Sequence, residues 1–195
     1  MINRRHIRIK VLQLIYAFFH SESKDIKVCS QELKKSMEFT HLLYIHLILL
    51  LVNLKNIAQE KMEISKNKLL PSNKDMGQHG KFINNKVLVL LSKNKFLIDK
   101  INTSGSFWND DPEIQVKLLL QIQESKIYQK YLSDSESSFL ADRKFVIDLF
   151  KEFIAPNENL HSFLEEKSIY WHDDFFIANL SVIKTLKSLN LIGSK

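Results

Sequence analysis

Apolar residues near the start of the chain, Ile7, Val11, Leu14, Ile15 and Phe18, recur at three- and four-residue intervals. That is the spacing of one side of an α-helix, and it predicts a helix over residues 3–20 with Asn3 as its N-cap. At about 100° per residue, His6, Lys10, Gln13, Ala17 and His20 share an opposite, mostly polar arc of about 80°. Arg4, Arg5 and Arg8 fall on an arc that turns apolar in later turns, where Leu12, Ile15 and Phe19 occupy it. The expectation is that the body of this helix packs, with the three arginines at the mouth of a buried element.

A polar stretch from Ser21 to Ser36 follows, then a long helix from about Phe39 to Asn67, stopped by Pro71. Residues 72–80, with Gly77 and Gly80, read as a loop, and Phe82–Leu91 with Lys95–Ile101 as one or two shorter helices. Ser104-Gly105-Ser106 and Asn109-Asp110-Asp111-Pro112 make a second break, with Asp111 as N-cap and Pro112 in the first helical position. Helices are then expected from Pro112 to Leu132, to Ile154 ahead of Pro156, over Leu160–Lys167, and from about Asp174 to Leu189. The expected fold is all-α: a multi-helix bundle of six to eight helices without a sheet, spanning residues 1–195 as one unit. Sub-boundaries, if any, fall near 71–80 or 104–111.

Composition sharpens this picture. Gly and Pro together number only seven in 195 residues, far below ordinary usage, which disfavours turn-rich sandwiches and barrels. One cysteine excludes a disulfide framework. The longest apolar run, Leu42–Val52, is interrupted by His46 and is only eleven residues long, against about 20 for a spanning helix, so the expectation is a soluble protein with no membrane partner. Lys10 and Gln13 interrupt the apolar start, which does not fit a secretory signal. An arginine-rich, acid-free transit peptide stays open as an alternative to the default cytoplasmic location.

The formal charge of +6 divides unevenly: +3 over residues 1–23, +7 over 24–104 and −4 over 105–195. A basic amino-terminal half points to an anionic partner, with solvated lysine faces as the plain alternative. Arginine decides between them. The chain has 24 lysines but four arginines, three of which are Arg4, Arg5 and Arg8. A guanidinium presents a planar fork of donors that fits phosphate oxygens, which an ammonium cannot imitate.

Catalytic chemistry is sparse. The seven histidines lack metal-ligand spacing, Cys29 has no cysteine partner, and no phosphate loop or nucleophile motif occurs. The expectation is therefore no enzyme, no metal and no cofactor. Asp110-Asp111 and Asp173-Asp174 precede helices and read as caps rather than acid–base pairs. His46 reads as a core histidine, and Trp108, Trp171 and Tyr170 as packing anchors.

Arg4-Arg5-x-x-Arg8 followed by Gln13 and Tyr16-Ala17 resembles the opening R-R-x-x-R-x4-Q-x-x-Y of the transcription antitermination factor NusB family. Leu118-x-x-Ile122-x-x-Ser125-x-x-Tyr128-x-x-Tyr131, the stretch Phe150 to Glu158 and Glu165 to Trp171 resemble the long-amino-terminus form of Bacteroidetes. The resemblance implies an all-helical protein that binds boxA RNA with ribosomal protein NusE and acts, indirectly, on the RNA polymerase antitermination complex. It assigns Arg4, Arg5 and Arg8 to the RNA surface. Charge adds Lys10, and His6 stands as a supplementary contact, while Gln13 and Tyr16 match the motif but point along the helix body. The family's second half, with its E-x-I-x-x-A-x-x-[YF] helix and closing K-F-[IV]-N-G-x-L-D, has no counterpart after Trp171, so an amino-terminal portion of the family is expected. The alternative is a helical protein–protein interaction module with no nucleic-acid role. Four phosphate contacts at about −0.7 each predict a log–log salt slope near about −3 for single-stranded RNA.

Overall fold

A computed structural model describes residues 4–21, 25–66, 80–104 and 107–190, without the side chains of Lys66 and of 101–104. Ten α-helices are present among these residues: α1 (Arg4–His20), α2 (Ile26–Lys66), α3 (Gly80–Ile83), α4 (Lys86–Ser92), α5 (Lys95–Ser104), α6 (Pro112–Glu124), α7 (Lys126–Ser133), α8 (Phe139–Leu149), α9 (Glu158–Lys167) and α10 (Phe175–Ser188). A 3-10 turn at Phe107–Asn109 precedes α6, and α8 runs on into a π-helical turn at Phe150–Ile154. No strand occurs among the described residues. The protein is all-α, as the sequence pattern predicts, though more finely divided. The expected cap Asn3, the loop residues 72–79 and the Gly105-Ser106 break lie outside the described residues.

The bundle is organised by α2. Its 41 residues give a rod about 60 Å long, and around its middle Leu43, Ile45, Leu47, Ile48, Leu49, Leu50, Leu51 and Val52 are all buried. A helix that is apolar all round must be enclosed on every side, and α10, α4, α6 and α3 pack against it. Helix α2 is long and apolar enough to cross a membrane by length and composition alone, but its apolar stretch is the centre of the core. The sequence reading started this helix at Phe39, whereas it begins at Ile26. Ile26, Cys29, Leu33 and Met37 form a sparse apolar seam through the polar stretch, and no glycine or proline interrupts it.

Local chemistry sets the breaks between the shorter helices. Asn85 Oδ1 accepts from the backbone N–H groups of Val87 and Leu88 and so caps α4. Its amide donates to the Tyr131 hydroxyl at 3.0 Å, and that hydroxyl donates to Asp142 Oδ1 at 2.7 Å, a buried network joining α4, α7 and α8. Asp111 caps α6, with Pro112 in the first turn, as the sequence indicates. Ser125 divides the helix expected over Pro112–Leu132, because its hydroxyl caps α7 while its extended backbone ends α6. Trp108 and Trp171 are buried and share a cluster with Phe107, Phe163 and His46.

His46 occupies that cluster with its ring 4.0 Å from Phe107. Burial pushes its pKa down to about 4 from 6.5, so it is neutral in the folded protein at pH 7. The unfolded chain binds this proton near pH 6.5, so the stability His46 permits is complete above 6.5 and is lost as pH falls toward about 4. Urea titration at pH 7 and pH 5 is expected to show a loss of about 2 kcal/mol from this residue, which His46→Leu removes. An unchanged pH dependence in His46→Leu would contradict the assignment.

Candidate nucleic-acid interface

Helix α1 contributes nothing to the apolar core, and its two buried residues are His6 and Lys10. Of the polar arc only these two are buried, Gln13, Ala17 and His20 being exposed, while Ile7, Val11, Leu14 and Phe18 of the expected packing side are half-buried. Lys10 Nζ lies 2.8 Å from Asp174 Oδ1, and His6 Nε2 lies 3.4 Å from the same oxygen. The other carboxylate oxygen, Oδ2, accepts from the Thr40 hydroxyl of α2. Asp174 is fully buried at the start of α10. One turn further along α1, Gln13 Nε2 donates to Asp173 Oδ2 at 2.8 Å.

These contacts tie α1 to α2 and to the turn before α10. They also correct three expectations. Lys10 and His6, expected to meet RNA, are buried against a carboxylate and face away from the arginine arc. Asp174, expected to cap α10, makes no side-chain cap hydrogen bond. Its carboxylate is committed to Lys10 and Thr40 because a buried ammonium left unpaired costs far more than an unfilled cap. Burial, opposed by Asp174 and reinforced by Lys10, holds the His6 pKa below 6.5.

Arg4, Arg5 and Arg8 are exposed on the first two turns of α1. Among the described residues no carboxylate forms an ion pair with any of them. The N-terminal end of a helix also carries a partial positive charge, so guanidinium forks and helix terminus present one sign together. The apolar arc beyond them does not pack as expected. Leu12 is 68% and Phe19 70% exposed, and Ile9, Ile15 and Tyr16 are open too. Tyr16 stacks on His20, with ring centroids 4.1 Å apart.

The chain side of α1 that faces α2 is bordered by an open depression of about 450 Å³ lined by Lys10, Gln13, Glu32, Ser36, Tyr170 and Asp173. Glu32 accepts from the Tyr170 hydroxyl at 2.6 Å, and Lys35 lies over the same ring. On this side Lys10 and Lys35 each face a carboxylate, whereas among the described residues Arg4, Arg5 and Arg8 of the outer arc form no ion pair. Sequence reasoning missed Asp174 and Thr40. The signal was the polar arc itself, since a lysine and a histidine one turn apart on a packed face require an acid opposite them.

Among the described residues, no group of three or more His, Cys, Asp or Glu side chains is arranged to hold a metal ion. No protein-family model, no curated protein and no solved structure matches the chain.

Asp174→Asn, which keeps the shape but removes the charge opposite Lys10, is expected to speed amide exchange throughout α1 at least tenfold while α2, α8 and α10 keep their protection. Restoring α1 protection with Lys10→Met in the same chain would tie the effect to the stranded charge. Unaltered α1 exchange in Asp174→Asn would show that this pair does not hold the helix.

Proposed function

We propose that this protein is an RNA-binding factor of the antitermination type. It takes the phosphates of a single-stranded, boxA-like RNA on Arg4, Arg5 and Arg8, with ribosomal protein NusE as protein partner and the RNA polymerase complex as indirect partner, in the cytoplasm. It acts by binding and carries out no reaction of its own. The observation that supports this reading is three exposed arginines on one face of the first two turns of a helix, none of them neutralised by a carboxylate among the described residues. Guanidinium groups at that spacing bridge successive phosphates, and the helix terminus adds to the attraction. The excess of positive charge in the first half of the chain draws a polyanion toward this end of the molecule.

The burial of Lys10 changes the expected salt dependence. Three contacts, rather than four, at about −0.7 each give a log–log slope near about −2, or about 20-fold weaker binding between 50 and 200 mM salt. Filter binding of the chain to boxA RNA, with and without NusE, measures this directly. Arg4→Ala/Arg5→Ala/Arg8→Ala is expected to lose most of the affinity and to flatten the slope. A triple variant that binds as tightly as the parent overturns the site.

A second reading, a protein-interaction module with no nucleic-acid role, is favoured by the exposed apolar arc of α1. It predicts that no RNA is retained at physiological salt, in the parent or in the arginine variant.

A further inference from the structure

We propose that the outer trough between α1 and the first two turns of α2 is a docking groove for an acidic amphipathic helix of a partner protein. The groove has a volume of about 300 Å³, its walls being Val11, Leu14, Ile15 and Phe18 of α1 and Ile26, Cys29, Ser30 and Leu33 of α2. It goes beyond RNA binding, because its walls are apolar and face a different class of ligand.

The form of the occupant follows from the spacing. Both walls repeat at i, i+3, i+4 and i+7, so two neighbouring helices expose matching ridges with an unfilled furrow between them. A third helix laid in that furrow completes a three-helix packing, its own apolar residues at the same spacing entering the gaps. The furrow extends over about two turns of each wall, enough for two to three turns of a partner helix. Ile26 of the wall is 76% exposed, and beside the furrow Leu12 and Phe19 on α1 widen the apolar surface. Exposed apolar side chains gathered in this way mark an interaction surface, whereas singly scattered ones do not.

The charge of the occupant follows from the rim. Arg4 and Arg8 precede Val11 and Ile15 on one stripe of α1, being spaced i, i+4, i+7 and i+11. Lys27 and Lys34 flank Ser30 on the outer edge of α2. All four are exposed, and none forms an ion pair among the described residues. Among the described residues of the same stretch, the acids Asp25 and Glu32 line an adjoining depression with Ala17 and Val28, which shares Leu14, Phe18 and Cys29 with the groove, and neither acid lines the groove itself; Glu38 lies one turn past Lys34, beyond the groove lining. An apolar furrow edged by unpaired cations selects a helix with an apolar seam and glutamate or aspartate on its flanks, and it repels a basic one.

The test is a displayed library of 16-residue helical peptides with a fixed leucine seam and randomised flanks, selected on the full chain. The expected pool is enriched in Asp and Glu at the flanks. A selected peptide is expected to lose at least tenfold in affinity on Ile26→Glu and on Lys27→Glu/Lys34→Glu. Ile26→Glu places a charge at an exposed position, so its melting curve should match the parent's, and its RNA retention should be unchanged. Loss of peptide binding with RNA retention intact therefore separates this groove from the arginine site, and peptide binding can persist even where RNA binding fails. The proposal is overturned by a pool without acidic enrichment or by peptides indifferent to Ile26→Glu. It is equally overturned if sedimentation shows the groove occupied by a second copy of the chain, if phosphatidylserine-containing vesicles bind the parent and not Ile26→Glu, or if RNA retention falls together with peptide binding.

Discussion

The pairing of Lys10 with Asp174 decides how the amino-terminal helix sits, and through that what the molecule shows to its surroundings. A buried ammonium tolerates one arrangement, because turning it away from its carboxylate would strand two charges in a poorly solvating interior. Helix α1 has no apolar residue in the core to set its rotation. The pair, with His6, Gln13 and Thr40 around it, sets that rotation instead, and the arginines and the apolar stripe are left outward as a direct result. The hydrocarbon seam of Ile7, Val11, Leu14 and Phe18 is only half-buried beside this pair, and Leu12 and Phe19 stay exposed.

That choice explains why part of this protein was legible in its sequence and part was not. The helical class followed from spacing and from the scarcity of glycine and proline. Asp111 with Pro112 marked the start of α6, and the aromatic anchors Trp108 and Trp171 are where their size and polarity put them. The error at α1 had a physical source. Periodicity reports which residues share a face, and it weighs apolar faces as buried, but it contains no information about a carboxylate more than 160 positions away. Asp174 was assigned a local task because its neighbours announce a helix start. Its partner across the fold outweighs that local preference, since stranding the buried Lys10 ammonium costs more than leaving a cap unfilled. The early onset of α2 was hidden for a different reason: of the apolar residues in its first three turns only Cys29, Leu33 and Met37 are half-buried, too sparse a seam to stand out in a polar stretch.

The arginines and the groove are linked by position, since Arg4 and Arg8 stand on the stripe of α1 that continues into Val11 and Ile15. The guanidinium groups project from the first turns of α1, and the furrow begins where those turns end. Electrostatics alone would not distinguish a phosphate from a carboxylate at that junction, and the two proposals differ in what the neighbouring surface must supply. Phosphates need only the charged end, while a protein helix needs the apolar walls as well.

Helix α2 runs through both regions without a proline, a glycine or a bulge between Ile26 and Lys66, and sharp bends in helices need one of these. The turns that form one wall of the groove and the turns enclosed in the core are thus parts of a single stiff rod. A load placed on Ile26 or Leu33 is therefore carried by the whole bundle, like a weight hung on a mast, and has no joint about which to swing.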